Sequence, residues 1–296
     1  MVNFVNGIIV KAISGFYYVE AENRIIECKA RGKFRNSGIS PLVGDYVRVE
    51  LNGDKGSVSE IYSRKNYLDR PSVANIDKLF IISSSLTPSP SAIIIDRLTA
   101  LCYYKKITPI VIFNKSDLAP MNEWMAIYKS VGIKTILTSA INSEGIDEIK
   151  SELSNCISVF TGNSGVGKSS LINCLFPSMQ LLTADVSNKL GRGRHTTRHC
   201  ELFKHEYNGY LADTPGFSSL ETDLSDIDFK NCLADCFVEF TDFSSDCRFA
   251  DCAHIGEKGC AVCQAVLDGK IYPSRYDSYK QLYEEMKVIK EWNIKK

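Results

Sequence analysis

Residues 162–170 form a glycine-rich loop that ends in lysine and serine. Residues 162–169 fit GxxxxGK[ST], a pattern in which backbone N–H groups wrap a phosphate. The lysine adds positive charge, and the serine hydroxyl binds Mg²⁺ at a helix start. A chance glycine loop is the alternative, but the apolar run Ile157 to Thr161 predicts a strand directly before it. We expect the phosphates of a nucleotide to contact Gly162, Asn163, Ser164, Gly165, Val166, Gly167, Lys168, Ser169 and Ser170, with Lys168 also catalytic and Ser169 holding Mg²⁺.

A second motif selects the base of that nucleotide. Asn114-Lys115-Ser116-Asp117 follows an apolar run, Pro109 to Phe113, that predicts a strand. In this NKxD arrangement the aspartate accepts two guanine N–H groups, the asparagine ties the loop together and the lysine stem lies along the base. Taken singly, the four residues are also typical of a turn. Ser139 and Ala140, after the predicted strand Lys134 to Leu137, are expected to offer a backbone amide to the guanine oxygen.

Two further segments fit the γ-phosphate and metal side of a GTP site. Asp213-Thr214-Pro215-Gly216 is a DxxG element at the end of the predicted strand Tyr207 to Ala212. We expect Asp213 to hold Mg²⁺ through water and the Gly216 amide to contact the γ-phosphate. In the basic loop 191–199, Thr197 is favoured over Thr196 as the second Mg²⁺ ligand. Together the four elements predict GTP binding.

The order of these elements is unusual. The guanine-reading residues at 114–117 and 138–140 precede the phosphate loop, whereas a conventional GTPase runs the other way. Circular permutation permits this when the original chain ends lie close together. The chain leaving Gly216 then continues directly into the C-terminal residues, which gives nucleotide-dependent motion a covalent route to them.

The residues up to 67 have short alternating runs and turn signals, including Asn52-Gly53-Asp54, that predict a small β domain. We expect its loops to hold a basic group beside Phe34. An oligonucleotide-binding barrel presents such residues to RNA, although a solvated hairpin of a structural β domain is equally compatible. The candidate RNA-binding residues are Lys29, Arg31, Lys33 and Arg35.

Six of the eleven cysteines lie within residues 232–263, and an odd total in a chain without a secretory signal favours metal ligation over disulfides. Cys247-x4-Cys252-x-His254-x5-Cys260 offers three thiolates and an imidazole, a set suited to one closed, structural Zn²⁺ site. Cys263 is an alternative ligand. We expect Cys232 and Cys236 to lie buried on one helix face, and the remaining thiols to be core residues: Cys28, Cys102, Cys156, Cys174 and Cys200.

Composition limits the classes of function. With 296 residues, 35 basic and 35 acidic side chains, the chain predicts two or three domains and no overall nucleic-acid-like charge bias. No apolar run approaches the ~18 residues of a membrane span, and we expect a cytoplasmic protein. The predicted domains are 1–67, 68–220 and 221–296. Strands alternating with helices favour an α/β fold in the second domain, and a helical pattern through Tyr279, Leu282, Met286, Ile289 and Trp292 closes the third.

The whole arrangement resembles the bacterial circularly permuted GTPases that act on the small ribosomal subunit during its late maturation. The resemblance also includes Gly44-Asp45-Tyr46-Val47, Ile95-Asp96-Arg97, the loop 191–197 and the segments around Cys247 and Cys260. Lys258 departs from the family's usual proline and leaves the metal ligands intact. The resemblance implies an oligonucleotide-binding (OB) barrel, a permuted P-loop GTPase domain and a zinc domain with terminal helices that bind the small (30S) subunit and its rRNA. Nothing indicates more than a monomer.

The residue that activates water is not the usual one. Phe217 stands where Ras-like enzymes carry a glutamine, so we expect slow intrinsic hydrolysis of GTP. We favour His195 as the group that acts on water once the subunit is bound, with Arg192, Arg194 or Arg198, or a group of the partner itself, as alternatives. These basic residues could instead only contact RNA phosphates. Rival functions are an RNA-binding module in which hydrolysis is incidental and a GTP-dependent phosphotransferase.

Overall fold

A computed structural model describes residues 3–32, 34, 39–69, 72–177, 200–213 and 227–287. The strands are β1 (Asn3–Ile13), β2 (Phe16–Ala21), β3 (Arg24–Ala30), β4 (Tyr46–Asn52), β5 (Lys55–Ile61), β6 (Tyr67–Asp69), β7 (Ser72–Ala74), β8 (Lys78–Ser84), β9 (Thr108–Asn114), β10 (Lys134–Leu137), β11 (Ile157–Gly162), β12 (Glu201–His205) and β13 (Gly209–Asp213). The helices are α1 (Ala92–Lys105), α2 (Asn122–Ser130), α3 (Ile146–Glu152), α4 (Lys168–Leu175), α5 (Ile227–Asn231), α6 (Thr241–Ser244), α7 (Ala261–Leu267) and α8 (Pro273–Lys287).

These elements belong to two compact units. The first contains the described residues of 1–80, 146–164 and 168–220, and the second those of 81–145, 165–167 and 221–296. Strand β8 runs from the first unit into the second, and the loop 162–168 passes through both. The three domain ranges drawn from the sequence remain predictions.

The first unit begins with a closed barrel of five strands. Its strand order is β1-β2-β3-β5-β4, and β4 pairs back with β1 to close it. Fully buried valines fill the interior from facing strands: Val19, Val47, Val49 and Val58. Gly7 is required where β1 crosses β2, because a Cβ there would lie 2.4 Å from the Glu20 carbonyl oxygen. The predicted OB-type barrel is confirmed.

The rest of the first unit extends this sheet in the order β8-β11-β13-β12-β1. β11 and β13 run parallel, and β12 and β13 form an antiparallel hairpin whose turn contains Asn208, as the sequence predicts. Phe80 of β8 stacks on Phe160 of β11 with ring centroids 4.5 Å apart. β11 then leads through the phosphate loop into α4, which is the strand-to-helix arrangement that such a loop requires.

The second unit combines the strand order β10-β9-β8 with the C-terminal helices. β9 and β10 are parallel, so Phe113 at the end of β9 lies beside Leu137 at the end of β10. This register brings the residues that follow both strands to one edge of the sheet. Buried Tyr279, Leu282 and Met286 line one face of α8, as the helical pattern predicts.

The cysteines outside the C-terminal cluster differ in part from expectation. Cys28, Cys102 and Cys156 are buried as predicted, whereas Cys174 and Cys200 are only partly buried. The prediction that Cys232 and Cys236 share a helix face is wrong. Helix α5 ends at Asn231, and the chain turns so that Cys236 lies in a separate 3-10 turn, Ala234–Cys236. Among the described residues, no helix has the length and apolar character needed to cross a membrane.

A buried ionic network joins α1 to α8 within the second unit. The Arg275 guanidinium, 1% exposed, donates to Asp96 at 2.7 Å and to both oxygens of Glu239 at 2.7 and 3.1 Å. Burial raises the pKa of Asp96, and the charge of Arg275 opposes that rise. Removing the guanidinium would therefore leave two buried carboxylates without their cation.

We predict that Arg275→Met lowers the free energy of unfolding by about 3–5 kcal/mol, because it leaves those carboxylates unpaired. Urea unfolding of the full chain measures the loss. Arg97→Met is the matched control, since the Arg97–Glu285 pair also joins α1 to α8 but is 27% and 34% exposed. Its expected cost is below about 1 kcal/mol. Equal losses in the two variants would contradict the account.

Candidate nucleotide-binding site and metal centre

Asn114 lies at the end of β9 and is almost fully buried. Its Nδ2 donates to the Val166 carbonyl oxygen at 2.9 Å, and its Oδ1 accepts from the Thr138 hydroxyl at 3.0 Å. One amide thus joins the base-reading loop, the segment after β10 and the middle of the phosphate loop. All three belong to the second unit.

Lys115 strengthens the same connection. Its ammonium donates to the Gly165 carbonyl at 2.7 Å and to the Thr87 carbonyl at 2.6 Å. Its backbone adopts a left-handed conformation with φ of 62°, and the Ser85 hydroxyl donates to its carbonyl. Sequence reasoning missed Ser85 and Thr87. They act through one hydroxyl and one backbone carbonyl, which no residue pattern reveals.

Asp117 is exposed at the rim of this loop. One carboxylate oxygen accepts from the buried Ser139 hydroxyl at 2.6 Å, which orients the group. The Ser116 amide donates to the Thr138 carbonyl at 3.0 Å, and Ala140 follows half-buried. The carboxylate is therefore fixed at the edge where β9 and β10 end, with an oxygen available to accept guanine N–H groups.

The phosphate loop connects the end of β11 to the start of α4. Gly165 and Gly167 have φ of 84° and 90°, a left-handed region in which glycine is favoured. At Gly167 a Cβ would lie 2.3 Å from Asn114 Nδ2, so the tie to Asn114 also excludes a side chain there. Lys168 and Ser169 open α4 half-buried, whereas the side chains of Asn163, Ser164 and Ser170 are exposed.

Several predicted site residues lie outside the described residues. These are His195, Thr197, Gly216, Lys33 and Arg35. The backbone of Asp213 ends β13. The prediction that Lys29 lies in a loop is wrong. Lys29 lies within β3, where it pairs with Phe16 of β2, and its ammonium lies 5.0 Å from the centroid of that ring. Arg31 follows β3 and forms an ion pair with Glu50.

Cys247, Cys252, His254 and Cys260 converge in the second unit with ligand atoms within 4.8 Å of one another. Cys247 Sγ is 3.9 Å from Cys260 Sγ, and His254 Nδ1 is 3.5 and 3.4 Å from these two sulfurs. Zn–S bonds of ~2.3 Å and Zn–N bonds of ~2.0 Å place tetrahedral ligands about 3.5–3.8 Å apart. The four residues therefore fit a tetrahedral metal ion.

Backbone donors surround the sulfurs of this cluster. The Ala261 amide donates to Cys247 Sγ at 3.3 Å, and the Cys263 amide donates to Cys260 Sγ at 3.4 Å. Burial lowers the pKa of His254, which favours the neutral imidazole that a metal needs. Cys263 lies outside the cluster and places its sulfur 3.2 Å from the Tyr276 hydroxyl.

Comparisons with known proteins agree with this geometry. A family model described as RsgA GTPase matches residues 61–223, and one described as RsgA N-terminal domain matches residues 6–58. The chain belongs to the RsgA GTPase family. It is 45% identical over 287 residues to the small ribosomal subunit biogenesis GTPase RsgA of Caldanaerobacter subterraneus subsp. tengcongensis, covering 96% of both chains.

Comparison with solved structures extends the likeness to the fold. YjeQ from Thermotoga maritima matches with a TM-score of 0.83 and 34% identity, covering 97% of this chain and 99% of that one. YloQ, a circularly permuted GTPase, matches with a TM-score of 0.79 and 34% identity, covering 97% and 96%. The predicted class of enzyme, a GTP hydrolase, and the permuted order are confirmed at the level of the RsgA family.

We predict that Gly167→Ala in this RsgA-family chain weakens GDP binding at least about tenfold, because the methyl group displaces the Asn114 amide and the left-handed backbone adds strain of ~1–2 kcal/mol. Titration with a fluorescent GDP analogue measures the affinity. Gly15→Ala is the matched control: its φ is 82° with nothing within 4 Å. Equal affinities of both variants would refute the steric argument.

Asp117→Asn is expected to exchange guanine for xanthine specificity. The new amide donates where the carboxylate accepted, which suits the carbonyl that xanthine carries in place of the guanine amino group. GDP affinity should fall at least about 100-fold while XDP affinity rises. Competition binding with GDP and XDP tests this, and Ser116→Ala serves as control. An unchanged preference for GDP would place the base elsewhere.

The geometry of the metal cluster predicts that Cys252 and Cys263 differ in their importance for zinc binding. Cys252→Ser removes a ligand and should abolish stoichiometric zinc and lower the melting temperature, since structural zinc contributes on the order of 10 kcal/mol to folding. Cys263→Ser should retain one zinc, because Cys263 lies outside the cluster. Metal content by mass spectrometry and thermal unfolding give the two readouts. Loss of zinc in Cys263→Ser would contradict this assignment.

Proposed function

We propose that the chain binds GTP with its guanine on Asp117 and its phosphates along residues 162–170, and hydrolyses it to GDP and phosphate. The observation that carries this proposal is the pair of bonds from Asn114 and Lys115 to the carbonyls of Val166 and Gly165. They join a guanine-reading loop to a phosphate loop. If residues 114–117 were only a turn with no role in nucleotide binding, they would not need hydrogen bonds to the phosphate loop.

The phosphate end of the site requires a cation. Ser169 and Thr197 would hold Mg²⁺, with Asp213 acting through water, and the metal would neutralise charge that develops on the phosphates. Oxygen ligands of this kind suit Mg²⁺. Lys168 at the start of α4 would add charge beside the helix N-terminus. The Gly216 amide would contact the γ-phosphate.

Hydrolysis would be slow until a partner is bound. Phe217 cannot orient water as a glutamine does, so His195 is the proposed group that polarises or positions water. Arg192, Arg194 and Arg198 lie within three residues of His195 in the sequence, and any of them could supply transition-state charge. A GTPase of this kind acts as a checkpoint, because it turns over only when its target is present.

The proposed target is the small (30S) ribosomal subunit and its rRNA, in late maturation of that subunit. Relatives that match 96% of the chain carry the name small ribosomal subunit biogenesis GTPase. The exposed Lys29 and Arg31 at one end of the barrel are proposed RNA contacts, together with Lys33 and Arg35. One structural Zn²⁺ would be held by Cys247, Cys252, His254 and Cys260. We propose a cytoplasmic monomer.

We predict that purified small subunits raise GTP turnover tenfold or more, while large subunits do not. The measurement is phosphate release by the chain alone, with small subunits and with large subunits. The Lys168→Ala variant should be inactive under all three conditions. His195→Ala should retain GDP affinity and lose most of the stimulation. Turnover that no ribosomal particle changes, with tight and salt-sensitive RNA binding, would instead favour an RNA-binding module with incidental hydrolysis.

A further inference from the structure

An open groove of about 880 Å³ lies on the outer face of the barrel in the first unit, at the end where β2 turns into β3. Its volume falls in the ~300–1,000 Å³ range of sites that bind small ligands. Three phenol rings, two carboxylates and two amides line it: Tyr46, Tyr62, Tyr210, Glu20, Glu22, Asn6 and Asn23.

The tyrosines present flat rings to solvent. Tyr46 is 50% exposed and Tyr62 is 38% exposed, although large aromatic side chains usually bury more of their surface. The Tyr62 hydroxyl donates to Asn6 Oδ1 at 2.8 Å, which fixes its ring against β1. Burial and the charge of Glu20 raise the pKa of Tyr210 to about 12, so its phenol stays neutral. Fixed aromatic faces of this kind stack with nucleobases.

The charges around the groove favour a nucleotide chain over a basic peptide. Both carboxylates already have a cation: Glu20 pairs with Lys204, and Glu22 lies 3.9 Å from Arg24. Arg48 projects from β4 on the same outer face, where β4 pairs with β1. Arg48 is paired in register with Glu60 of β5, so basic side chains balance the carboxylates around the groove. Phosphate groups on either side of a bound base would therefore meet no net negative charge.

The groove is separate from the proposed basic RNA contact. It lies at the β2–β3 end of the barrel, whereas Lys29 pairs with Phe16 beside the β1–β2 turn at the opposite end. Tyr46 opens β4 and Tyr62 follows β5, so both also lie away from the β4–β5 turn. The barrel thus carries two distinct surfaces suited to RNA.

We propose that this groove binds an unpaired RNA nucleobase, stacked on Tyr46 and Tyr62, with its exocyclic amino group donating to the groove's carboxylates or to Asn6. This site deepens the proposed function and rests on it for the RNA partner. Adenine and cytosine carry such an amino group and uracil does not. The groove should therefore prefer the first two, because each presents an amino group with two N–H donors to these acceptors, whereas uracil presents a single N–H.

Binding of fluorescein-labelled hexamers of adenosine, cytidine and uridine to the full chain tests the proposal by fluorescence anisotropy. The adenosine and cytidine hexamers should bind at least about fivefold more tightly than the uridine hexamer. Tyr46→Ala with Tyr62→Ala should weaken adenosine-hexamer binding about tenfold and remove the preference. Tyr46→Phe is the matched control, which retains both rings and the Tyr62–Asn6 hydrogen bond and should stay within about twofold of the wild type.

A second measurement tests the proposal even if the alanine variant does not fold. Ultraviolet cross-linking of the adenosine hexamer to the wild-type chain should modify peptides containing Tyr46 or Tyr62. Unchanged affinity in the folded alanine variant, equal affinity for all hexamers, or cross-links confined to residues 29–35 would overturn the proposal. So would tyrosine-dependent binding of a labelled hexa-arginine peptide without RNA binding. Subunit-stimulated turnover of the wild type is scored separately, so its absence would count against the proposed function alone.

Discussion

The buried amide of Asn114 is the contact on which the nucleotide site depends. An amide removed from water must satisfy both its donor and its acceptor, and here Val166 and Thr138 do so. The partners are 52 and 24 residues away in sequence, so a single side chain fixes three loops. Gly167 is a direct consequence, because the close approach of the Asn114 amide leaves no room for a Cβ.

The permuted order of the GTPase motifs determines which parts of the chain the Asn114 contact holds together. The base-reading loop comes first in the chain, and residues 165–167 of the phosphate loop belong to the same compact unit as that loop. The C-terminal helices belong to this unit as well. There Arg275 joins α8 to α1, and the Tyr279 hydroxyl donates to the Ala253 carbonyl inside the metal loop at 2.5 Å. The metal cluster is thereby anchored to the helices that pack beside the base-reading strands.

Short-range patterns predicted much of this fold and site. The strand Lys134–Leu137 matches its prediction, and the strand before the NKSD motif is one residue longer at each end. Four metal ligands close in sequence converge as expected, because their spacing alone limits how far apart they can lie. These features depend on neighbours within a few residues, which is the information that a single sequence contains.

Features that depend on distant partners escaped prediction. Arg275 and Asp96 are 179 residues apart, and nothing near either one indicates a buried ion pair. Ser85 and Thr87 support Lys115 through groups that any serine or backbone could offer. The sequence predicts a loop at Lys29, whereas the pairing of β3 with the distant β5 and with β2 holds this residue in a strand.

Hydrogen exchange of the nucleotide-free chain, followed by mass spectrometry, tests the role of Asn114 most directly. If its amide holds the phosphate loop, Asn114→Ala should accelerate exchange in the peptide that spans residues 163–169. Asp117→Ala should leave that peptide as in the wild type, because the Asp117 carboxylate contacts Ser139 and not the loop. Wild-type exchange in both variants would contradict the account.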